Sequence, residues 1–387
     1  MIVGGGPAAL SAARSYREAG GSARVTMVAA EPHAPYSRPP LTKEFLRGEL
    51  EESDLPIEAA AWYGEHEVTL VHSRASELDL DRGAVRTGGG DWIAFEACVL
   101  ATGSEPARLP VPGADDAGVL TMRTLEDSVR LRDLAHQGAP VVVIGSGFIG
   151  CEAAASLAMR GTRPILVSDE SVPQERRLGP DVGARIAGWL EEHGVETRFG
   201  DGVASIERSS GGRFVVASHG GERVEAHAVL QAAGISPNLE LADGAGIELA
   251  SEGGVAVDAG MRASAEGIYA VGDIACPYNP TAGRRLRVEH WGEALTHGEI
   301  AGRRLAGGDE VWGSAPGFWS TIGSHQLKYA AWGDGHDEAR FVDHGEGAFT
   351  VWYGAVGVTV GVLTHERDDD YERGRELVES AAPLPAS

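Results

Sequence analysis

Two glycine-rich stretches constrain the fold of this chain more than any other feature of its sequence. They read Gly4-x-Gly6-x-x-Ala9 and Gly145-x-Gly147-x-x-Gly150. Each follows an apolar segment and opens an alanine-rich segment of helical length, after which a second apolar strand is predicted. The first glycine of such a pattern permits a tight turn, and the second lets the backbone approach a pyrophosphate. One pattern alone is weak evidence, but two in the correct context predict two βαβ units that bind dinucleotides.

The composition is that of a globular protein, and we expect it to have no nucleic-acid partner. The length of 387 residues suits two or three domains, and 43% of the residues are hydrophobic. The formal net charge of -24 disfavours binding to nucleic acid, which is itself negatively charged. Cys98, Cys151 and Cys276 form no CxxC pair, so we expect neither a metal site nor a redox-active disulfide. No apolar run reaches membrane-spanning length, and we expect a cytoplasmic protein. Because so little precedes Gly4, we expect the native chain to begin a few residues earlier.

A proline-rich stretch holds two cations soon after the first glycine-rich turn. Residues 35–43 read Pro-Tyr-Ser-Arg-Pro-Pro-Leu-Thr-Lys. Three prolines exclude a regular helix or a central strand here and limit the freedom of the backbone. The sequence therefore predicts that Arg38 and Lys43 are positioned charges.

Two later segments end predicted strands in short polar turns. The segment ACVLATGSEP (97–106) reaches Ala101-Thr102-Gly103, and EGIYAVGDIA (266–275) reaches Gly272-Asp273.

These pieces together resemble one family. It comprises the FAD-dependent NAD(P)H:ferredoxin and rubredoxin reductases of oxygenase systems, such as putidaredoxin reductase and biphenyl dioxygenase ferredoxin reductase, together with apoptosis-inducing factor. The matching pieces, in the family's order, are GGGPAA, PYSRPPLTK, ATGSEP, VIGSGFIGCE, IYAVGDIA, RVEHWGEA and FWS. PYSRPPLTK, RVEHW and FWS are the most specific of them.

The resemblance implies an α/β fold of the glutathione-reductase type. It has two Rossmann-like dinucleotide-binding domains and a small C-terminal α+β domain. The implied limits are 1–105 and 232–310 for a discontinuous FAD domain, 106–231 for the NAD(P)H domain, and 311–387 for the C-terminal interface domain. In the last, we expect four strands, at 327–332, 339–342, 348–353 and 356–363, and a helix at 367–380.

The resemblance also implies which residues contact the cofactors. The implied set is Gly4, Gly6, Pro7, Ala8, Glu31, Arg38, Lys43, Ala75, Ala101, Thr102, Gly103, Gly145, Gly147, Phe148, Ile149, Gly150, Glu152, Asp169, Glu170, Arg177, Gly234, Gly272, Asp273, Glu289, His290, Trp291 and Trp319. Glu31 is the candidate for the adenosine ribose, although the family usually has its acid one residue earlier. Arg38 is expected near the FAD phosphates. Asp273, which resembles the acid of the family's GD motif, is expected to bond the ribitol hydroxyl of FAD or a bridging water, and the alternative is an ordinary turn residue.

Two of these residues are candidates for catalysis. In the family, the lysine corresponding to Lys43 lies near flavin N5 and pairs with the glutamate corresponding to Glu152. Such a lysine would stabilise negative charge on a reduced flavin. The alternatives are a surface lysine and an acid that suits the first turn of a helix. The segment after Glu289 resembles one whose helix N-terminus faces the flavin pyrimidine ring.

The coenzyme is expected to be NADH. Ser168 stands where the family has its selecting glutamate, and Asp169 and Glu170 follow it. Acids at this strand end disfavour the 2′-phosphate of NADPH. Arg176 and Arg177 argue the other way, since they could reach that phosphate or the pyrophosphate.

The function implied is transfer of a hydride from NADH to FAD, and then of single electrons to an acidic ferredoxin-type iron–sulfur protein serving an oxygenase or cytochrome P450. An apoptosis-inducing-factor-like, NADH-responsive protein is the alternative. A disulfide reductase is disfavoured because no cysteine precedes Cys98. We expect a monomer or homodimer, with no nucleic acid or membrane partner. The expected ferredoxin dock is formed by Arg284, Arg285, Arg287, Arg303 and Arg304.

Overall fold

The computed structural model describes residues 1–386. Its α-helices are α1 (Pro7–Glu18), α2 (Glu44–Arg47), α3 (Ala60–Glu65), α4 (Leu125–Leu134), α5 (Phe148–Met159), α6 (Glu175–Leu178), α7 (Pro180–Glu192), α8 (Glu240–Gly244), α9 (Trp291–Leu305) and α10 (Asp368–Glu379). Short 3₁₀ helices cover Pro39–Thr42, Glu52–Asp54 and Gly272–Ile274. None of the helices described is both long enough and apolar enough to cross a bilayer.

The strands form two five-stranded parallel sheets, one five-stranded antiparallel sheet and several smaller ones. They are β1 (Ile2–Val3), β2 (Val25–Ala29), β3 (Val68–His72), β4 (Ala75–Asp79), β5 (Ala84–Thr87), β6 (Trp92–Ala94), β7 (Cys98–Leu100), β8 (Ser104–Pro106), β9 (Val119–Leu120), β10 (Pro140–Ile144), β11 (Arg163–Val167), β12 (Glu196–Arg198), β13 (Val203–Arg208), β14 (Phe214–Ser218), β15 (Arg223–Ala226), β16 (Ala228–Gln231), β17 (Ile235–Pro237), β18 (Val255–Val257), β19 (Ile268–Ala270), β20 (Ala275–Asn279), β21 (Arg284–Arg285), β22 (Gly317–Ile322), β23 (His325–Ala331), β24 (Glu338–Gly345), β25 (Ala348–Ala355) and β26 (Val358–His365).

The first parallel sheet gathers strands that are far apart in the chain. Its order is β19-β7-β1-β2-β3. Ile2 of the central strand β1 lies in register with Met27 on one side and with Val99 on the other. Neighbouring parallel strands end at the same edge of a sheet, so the turns that follow β1, β7 and β19 lie side by side at that edge. These turns are residues 4–6, 101–103 and 271–273.

The second parallel sheet is built from a continuous part of the chain. Its order is β12-β11-β10-β16-β9, and all five strands lie between residues 119 and 231. The central strand β10 is almost wholly buried, as expected for a parallel sheet covered on both faces. A three-stranded antiparallel sheet, β13-β14-β15, comes from the same stretch. The two parallel sheets confirm the predicted α/β fold with two Rossmann-like units.

One antiparallel strand pair joins the segments that lead into and out of the second unit. β8 pairs with β17, with Glu105 in register with Ser236. The predicted limit at residue 105 therefore falls inside β8. The predicted domain limits stay a prediction.

The C-terminal sheet has one more strand than expected. Its order is β22-β23-β26-β25-β24, all antiparallel, and α10 packs against β26. The additional strand is β22, which carries Phe318, Trp319 and Ser320. The FWS segment was predicted to contact a cofactor, and no strand was expected there. Aromatic and β-branched residues, which favour strands, were the available signal.

Helices α1 and α9 pack closely because two glycines of α9 face the backbone of α1. A Cβ atom at Gly298 would lie 2.3 Å from the carbonyl oxygen of Ala8, and one at Gly302 would lie 2.4 Å from that of Ala12. Such distances are far inside van der Waals contact, so both positions require glycine. The contact fixes the N-terminal ends of the two helices relative to each other.

A pair of glycine-to-alanine substitutions tests this contact. Alanine improves helix propensity by about 1 kcal/mol over glycine, and Gly188 of α7 has open space around it. We expect Gly188→Ala to raise the thermal midpoint slightly. Gly298→Ala should lower it, because overpacking costs roughly 1–3 kcal/mol and exceeds the propensity gain. Thermal unfolding followed by circular dichroism measures both, and an increase in stability for Gly298→Ala would contradict the packing described.

Candidate active site

One cavity of about 1510 Å³ is lined by residues of both glycine-rich turns and of the C-terminal sheet. Sites for a single small ligand usually have roughly 300–1,000 Å³, so this cavity has space for more than one. Almost all of the residues predicted to contact cofactors line it. The exceptions are Gly145, Gly150, Asp169 and Glu170.

The fingerprint glycines have two distinct structural roles. A Cβ atom on Gly4, whose φ is +139°, would lie 2.1 Å from the carbonyl oxygen of Ala101, and one on Gly150 would lie 2.0 Å from that of Gly145. These glycines therefore permit close approach of two chain segments. Gly6 is different, since no heavy atom lies within 4 Å of its Cβ position. It leaves open space at the N-terminus of α1, where a pyrophosphate can accept hydrogen bonds from free backbone N–H groups.

The centre of the site is a buried ion pair between Lys43 and Glu152. Lys43 Nζ lies 2.7 Å from Glu152 Oε2 and also donates to the carbonyl oxygen of Pro39 at 3.0 Å. The two residues are only 6% and 4% exposed. The sequence predicted this pair, although the residues are 109 positions apart. Such burial excludes the alternatives of a surface lysine and a solvated helix charge.

Two further side chains donate to the same carboxylate, and sequence reasoning missed both. Thr42 Oγ1 donates to Glu152 Oε2 at 2.6 Å, and Ser320 Oγ of β22 donates to Oε1 at 2.7 Å. Both serve a buried charge that needs hydrogen bonds to be tolerated. Their motifs, PPLTK and FWS, predicted cofactor contacts for Lys43 and Trp319 only.

Glu31 and Arg38 both line the cavity and form an ion pair with each other. The Tyr36 hydroxyl donates to Glu31, and the guanidinium of Arg38 also donates to the backbone of Arg123. Burial raises the pKa of Tyr36 well above its usual value, so it stays neutral and can donate. The sequence predicted separate contacts for Glu31 and Arg38 to the ribose and the phosphates. Those contacts stay a prediction, and the pairing between the two was not foreseen.

Asp273 is held at the cavity wall by two donors. Its Oδ2 accepts hydrogen bonds from Ser104 Oγ at 2.7 Å and from Arg123 Nη2 at 2.9 Å. Arg123 was not predicted as a site residue, because it lies in the short connection between β9 and α4 and belongs to no motif. Its charge reduces the repulsion that an ionised Asp273 would exert on a phosphate group.

The start of α9 forms another part of the cavity wall. Trp291 and Gly292 belong to its first turn, whose free N–H groups and dipole favour negative charge on a bound group. His290 stacks on Phe318 with the ring centroids 4.3 Å apart. Burial, with a smaller contribution from the Arg177 guanidinium, lowers the pKa of His290 to about 4. The imidazole is therefore neutral at ordinary pH.

The predicted acids of the second unit lie beyond the cavity, after β11. Asp169 pairs with Arg176 at 2.7 Å, and both side chains are exposed. The hydrogen bonds from Arg176 hold the pKa of Asp169 below its usual value. Glu170 instead accepts from Ser146 Oγ at 3.1 Å and from the backbone N–H of Arg176 at 2.9 Å. Asp169 is thus the more available of the two acids.

The five arginines predicted to dock a ferredoxin have different surroundings. Arg285 and Arg304 donate to backbone carbonyl oxygens, Arg285 to Val257 and Arg304 to Glu310. These two therefore have structural contacts. The others form ion pairs, which join Arg284 to Asp334, Arg287 to Glu289 and Arg303 to Glu299.

The three cysteines are buried and unpaired. Burial raises the pKa of Cys98 to about 12 and that of Cys276 to about 11, and it raises the pKa of Cys151 further. The thiols are therefore protonated and unreactive. No group of metal-binding side chains occurs within residues 1–386.

These features fit FAD as a bound cofactor. The open position at Gly6 and the N-terminus of α1 suit a pyrophosphate, and the start of α9 suits a ring that gains negative charge. The cavity continues from there to Gly147, Phe148 and Ile149 of the second unit. The residues present can therefore hold a flavin and bring a second dinucleotide to it.

Two known proteins are similar to this chain over nearly its whole length. Rhodocoxin reductase of Rhodococcus erythropolis is 31% identical over 388 residues, which cover 99% of this chain and 90% of that protein. The ferredoxin–NAD(+) reductase component of the anthranilate 1,2-dioxygenase system of Burkholderia cepacia is also 31% identical, over 99% of this chain and 94% of that protein.

Solved structures show the same likeness across nearly the whole chain. Putidaredoxin reductase, in its covalent complex with putidaredoxin, superposes with a TM-score of 0.92 at 28% identity, over 99% of this chain and 93% of that one. The ferredoxin reductase for the CYP199A2 system from Rhodopseudomonas palustris has the same TM-score and identity, over 99% and 94%.

The sequence pattern of the pyridine nucleotide-disulphide oxidoreductases matches residues 1–298. The chain therefore belongs to the pyridine nucleotide-disulphide oxidoreductase family, among its ferredoxin and rubredoxin reductases, as its sequence motifs predicted.

Proposed function

We propose that this chain is an FAD-dependent reductase that takes a hydride from NADH and passes the electrons singly to a ferredoxin-type iron–sulfur protein. The proposed acceptor serves an oxygenase or a cytochrome P450. The main structural support is the position of one buried ion pair. The buried Lys43–Glu152 pair lies in the wall of a single cavity that both glycine-rich turns also line. The relatives give further support, since the protein of Burkholderia cepacia is the ferredoxin–NAD(+) reductase component of a dioxygenase system.

When bound, FAD supplies the step that a nicotinamide cannot perform, since a flavin can accept a hydride and release electrons one at a time. The chain's own groups stabilise negative charge at two places. The ammonium of Lys43 acts from one wall, and the N-terminus of α9 acts from another. Neutral His290 and the aromatic ring of Phe318 make part of the wall apolar, which strengthens these electrostatic effects.

The role of the Lys43–Glu152 pair in flavin reduction can be tested by removing first one of its charges and then both. Lys43→Met removes the cation, and Lys43→Met with Glu152→Gln removes both charges. We expect both variants to bind FAD but to be reduced by NADH about 100-fold more slowly, since preorganised charge contributes roughly 10²–10³ to such rates. Only the single variant should also unfold at a markedly lower temperature, because it leaves a buried carboxylate unpaired.

Anaerobic stopped-flow measurement of the flavin absorbance gives the rate, and a thermal melt of each holoprotein is the control for folding. An unchanged rate in the double variant would show that the pair is structural only.

The proposed coenzyme is NADH. Asp169 follows β11, where an acid of a dinucleotide-binding unit bonds the ribose hydroxyls. Its ion pair with Arg176 is exposed, and exposed pairs contribute only about 0–1 kcal/mol. A 2′-phosphate could therefore draw Arg176 away from Asp169 at little cost.

Substitutions at Asp169 and at Arg176 should change the coenzyme preference in opposite directions. Asp169→Asn removes the charge that repels a 2′-phosphate, and we expect the ratio of kcat/KM for NADH to that for NADPH to fall about tenfold. Arg176→Gln removes the cation that attracts the phosphate, so the ratio should rise. Arg163→Gln, at the opposite end of β11, is the control for general charge effects.

Steady-state kinetics with ferricyanide as acceptor measure the ratio without a protein partner. If neither substitution moves it, coenzyme selection depends on other residues.

The proposed partner is an acidic, cytoplasmic ferredoxin that docks near the cavity rim. Arg303 lies twelve residues beyond Trp291 on α9, about 18 Å along the helix axis, which places it far from the flavin end. Arg284 is closer to the rim, because its partner Asp334 lies between two cavity-lining residues, Gly333 and Gly335. We therefore propose Arg284 as a docking residue in preference to Arg303.

Charge reversal at the two arginines tests this choice. Arg284→Glu should raise the KM for an acidic ferredoxin several-fold at low salt, and added salt should reduce the difference, because screening weakens exposed charges. Arg303→Glu is the matched control and should have a smaller effect. Ferricyanide reduction by each variant confirms that the flavin reaction is intact. A larger effect at Arg303 would place the dock at the other end of α9.

A further inference from the structure

Strand β22 crosses helix α5 with two side chains of each element in contact. Phe318 and Ser320 lie two residues apart on the strand and therefore share one face. Phe148 and Glu152 lie four residues apart on the helix and share one face there. The rings of Phe318 and Phe148 meet edge-on with centroids 4.8 Å apart, and Ser320 donates to Glu152 at 2.7 Å. The two contacts fix the position of the strand on the helix.

The two oxygens of Glu152 have separate partners. Oε2 accepts hydrogen bonds from Lys43 Nζ at 2.7 Å and from Thr42 Oγ1 at 2.6 Å. Oε1 accepts a hydrogen bond from Ser320 Oγ, and no other side chain within residues 1–386 donates to it. The orientation of the carboxylate therefore depends on Ser320 at one end and on the Thr42–Lys43 segment at the other.

Loss of the Ser320 hydroxyl would leave Oε1 buried without a donor. A buried carboxylate in that state would turn toward another donor or admit water. Either change would move Oε2, which holds the ammonium of Lys43 in place. The position of the cation beside the proposed flavin site thus depends on a residue of the C-terminal sheet.

We propose that Ser320 is a positioning residue for hydride transfer, acting through Glu152 on Lys43. The proposal rests on the proposed function, and it assigns to the C-terminal sheet a part in the flavin reaction itself. Ser320 itself is 1% exposed, which excludes a role in contact with a protein partner.

The test measures flavin reduction by NADH in Ser320→Ala under anaerobic stopped-flow conditions. We expect bound FAD and the apparent Kd for NADH to be retained, while the limiting rate falls by about 10- to 100-fold, as expected when a reacting group is slightly displaced. Ser320→Thr keeps the hydroxyl and should restore most of the rate. Thr359→Val removes an equally buried hydroxyl of the same sheet, which donates to the carbonyl oxygen of Pro383 at 3.2 Å outside the cavity, and should leave the rate unchanged.

A second background shows whether Ser320 acts through Glu152. In Glu152→Gln protein, the additional change Ser320→Ala should slow reduction by less than twofold. Equal slowing in both backgrounds would overturn the proposal, as would an unchanged rate for Ser320→Ala when Lys43→Met is slow. If NADH does not reduce the flavin of the unsubstituted protein, the proposed function fails and this inference fails with it.

Discussion

The candidate active site is held together by the hydrogen bonds to one buried carboxylate, that of Glu152. A carboxylate that is 4% exposed is tolerated only when its oxygens are well paired, because loss of its solvation costs several kcal/mol. Its donors come from residues 42–43, in the segment after the first βα unit, and from residue 320 in the C-terminal sheet. Glu152 itself belongs to the helix of the second unit. Three remote parts of the chain must therefore meet correctly to satisfy one charge.

A second constraint sets the electrostatics of the cavity. Helices α1 and α9 begin at the cavity wall, and each contributes about half a positive charge at its N-terminus. Their separation is fixed by the glycines of α9 that face the α1 backbone. A bound group with a pyrophosphate at one end and a ring that gains charge at the other would find a positive helix end for each.

Local spacing in the sequence predicted the fingerprint glycines and the ends of the parallel strands. The Lys43–Glu152 pair joins residues 109 positions apart, and only the resemblance to a family predicted it. Ser320, Thr42 and Arg123 were missed as partners, because a hydroxyl or guanidinium shows its acceptor only when the tertiary fold is known. The backbone partners of Arg285 and Arg304 were missed for the same reason. The sequence predicted both residues as part of a basic dock, but their side chains donate to backbone carbonyl oxygens. Charge in a sequence indicates a cation and not its partner.

The discontinuous first sheet has a consequence for the order in which the chain can fold during synthesis. Strand β1 can pair with β2 early, but β7 follows at residue 98 and the edge strand β19 only at residue 268. The second sheet needs nothing beyond residue 231. At roughly 5–20 residues per second, the ribosome releases the complete second unit seconds before the first can close. The unit that begins the chain is thus the later of the two to finish folding, and β7 must wait with one edge unpaired.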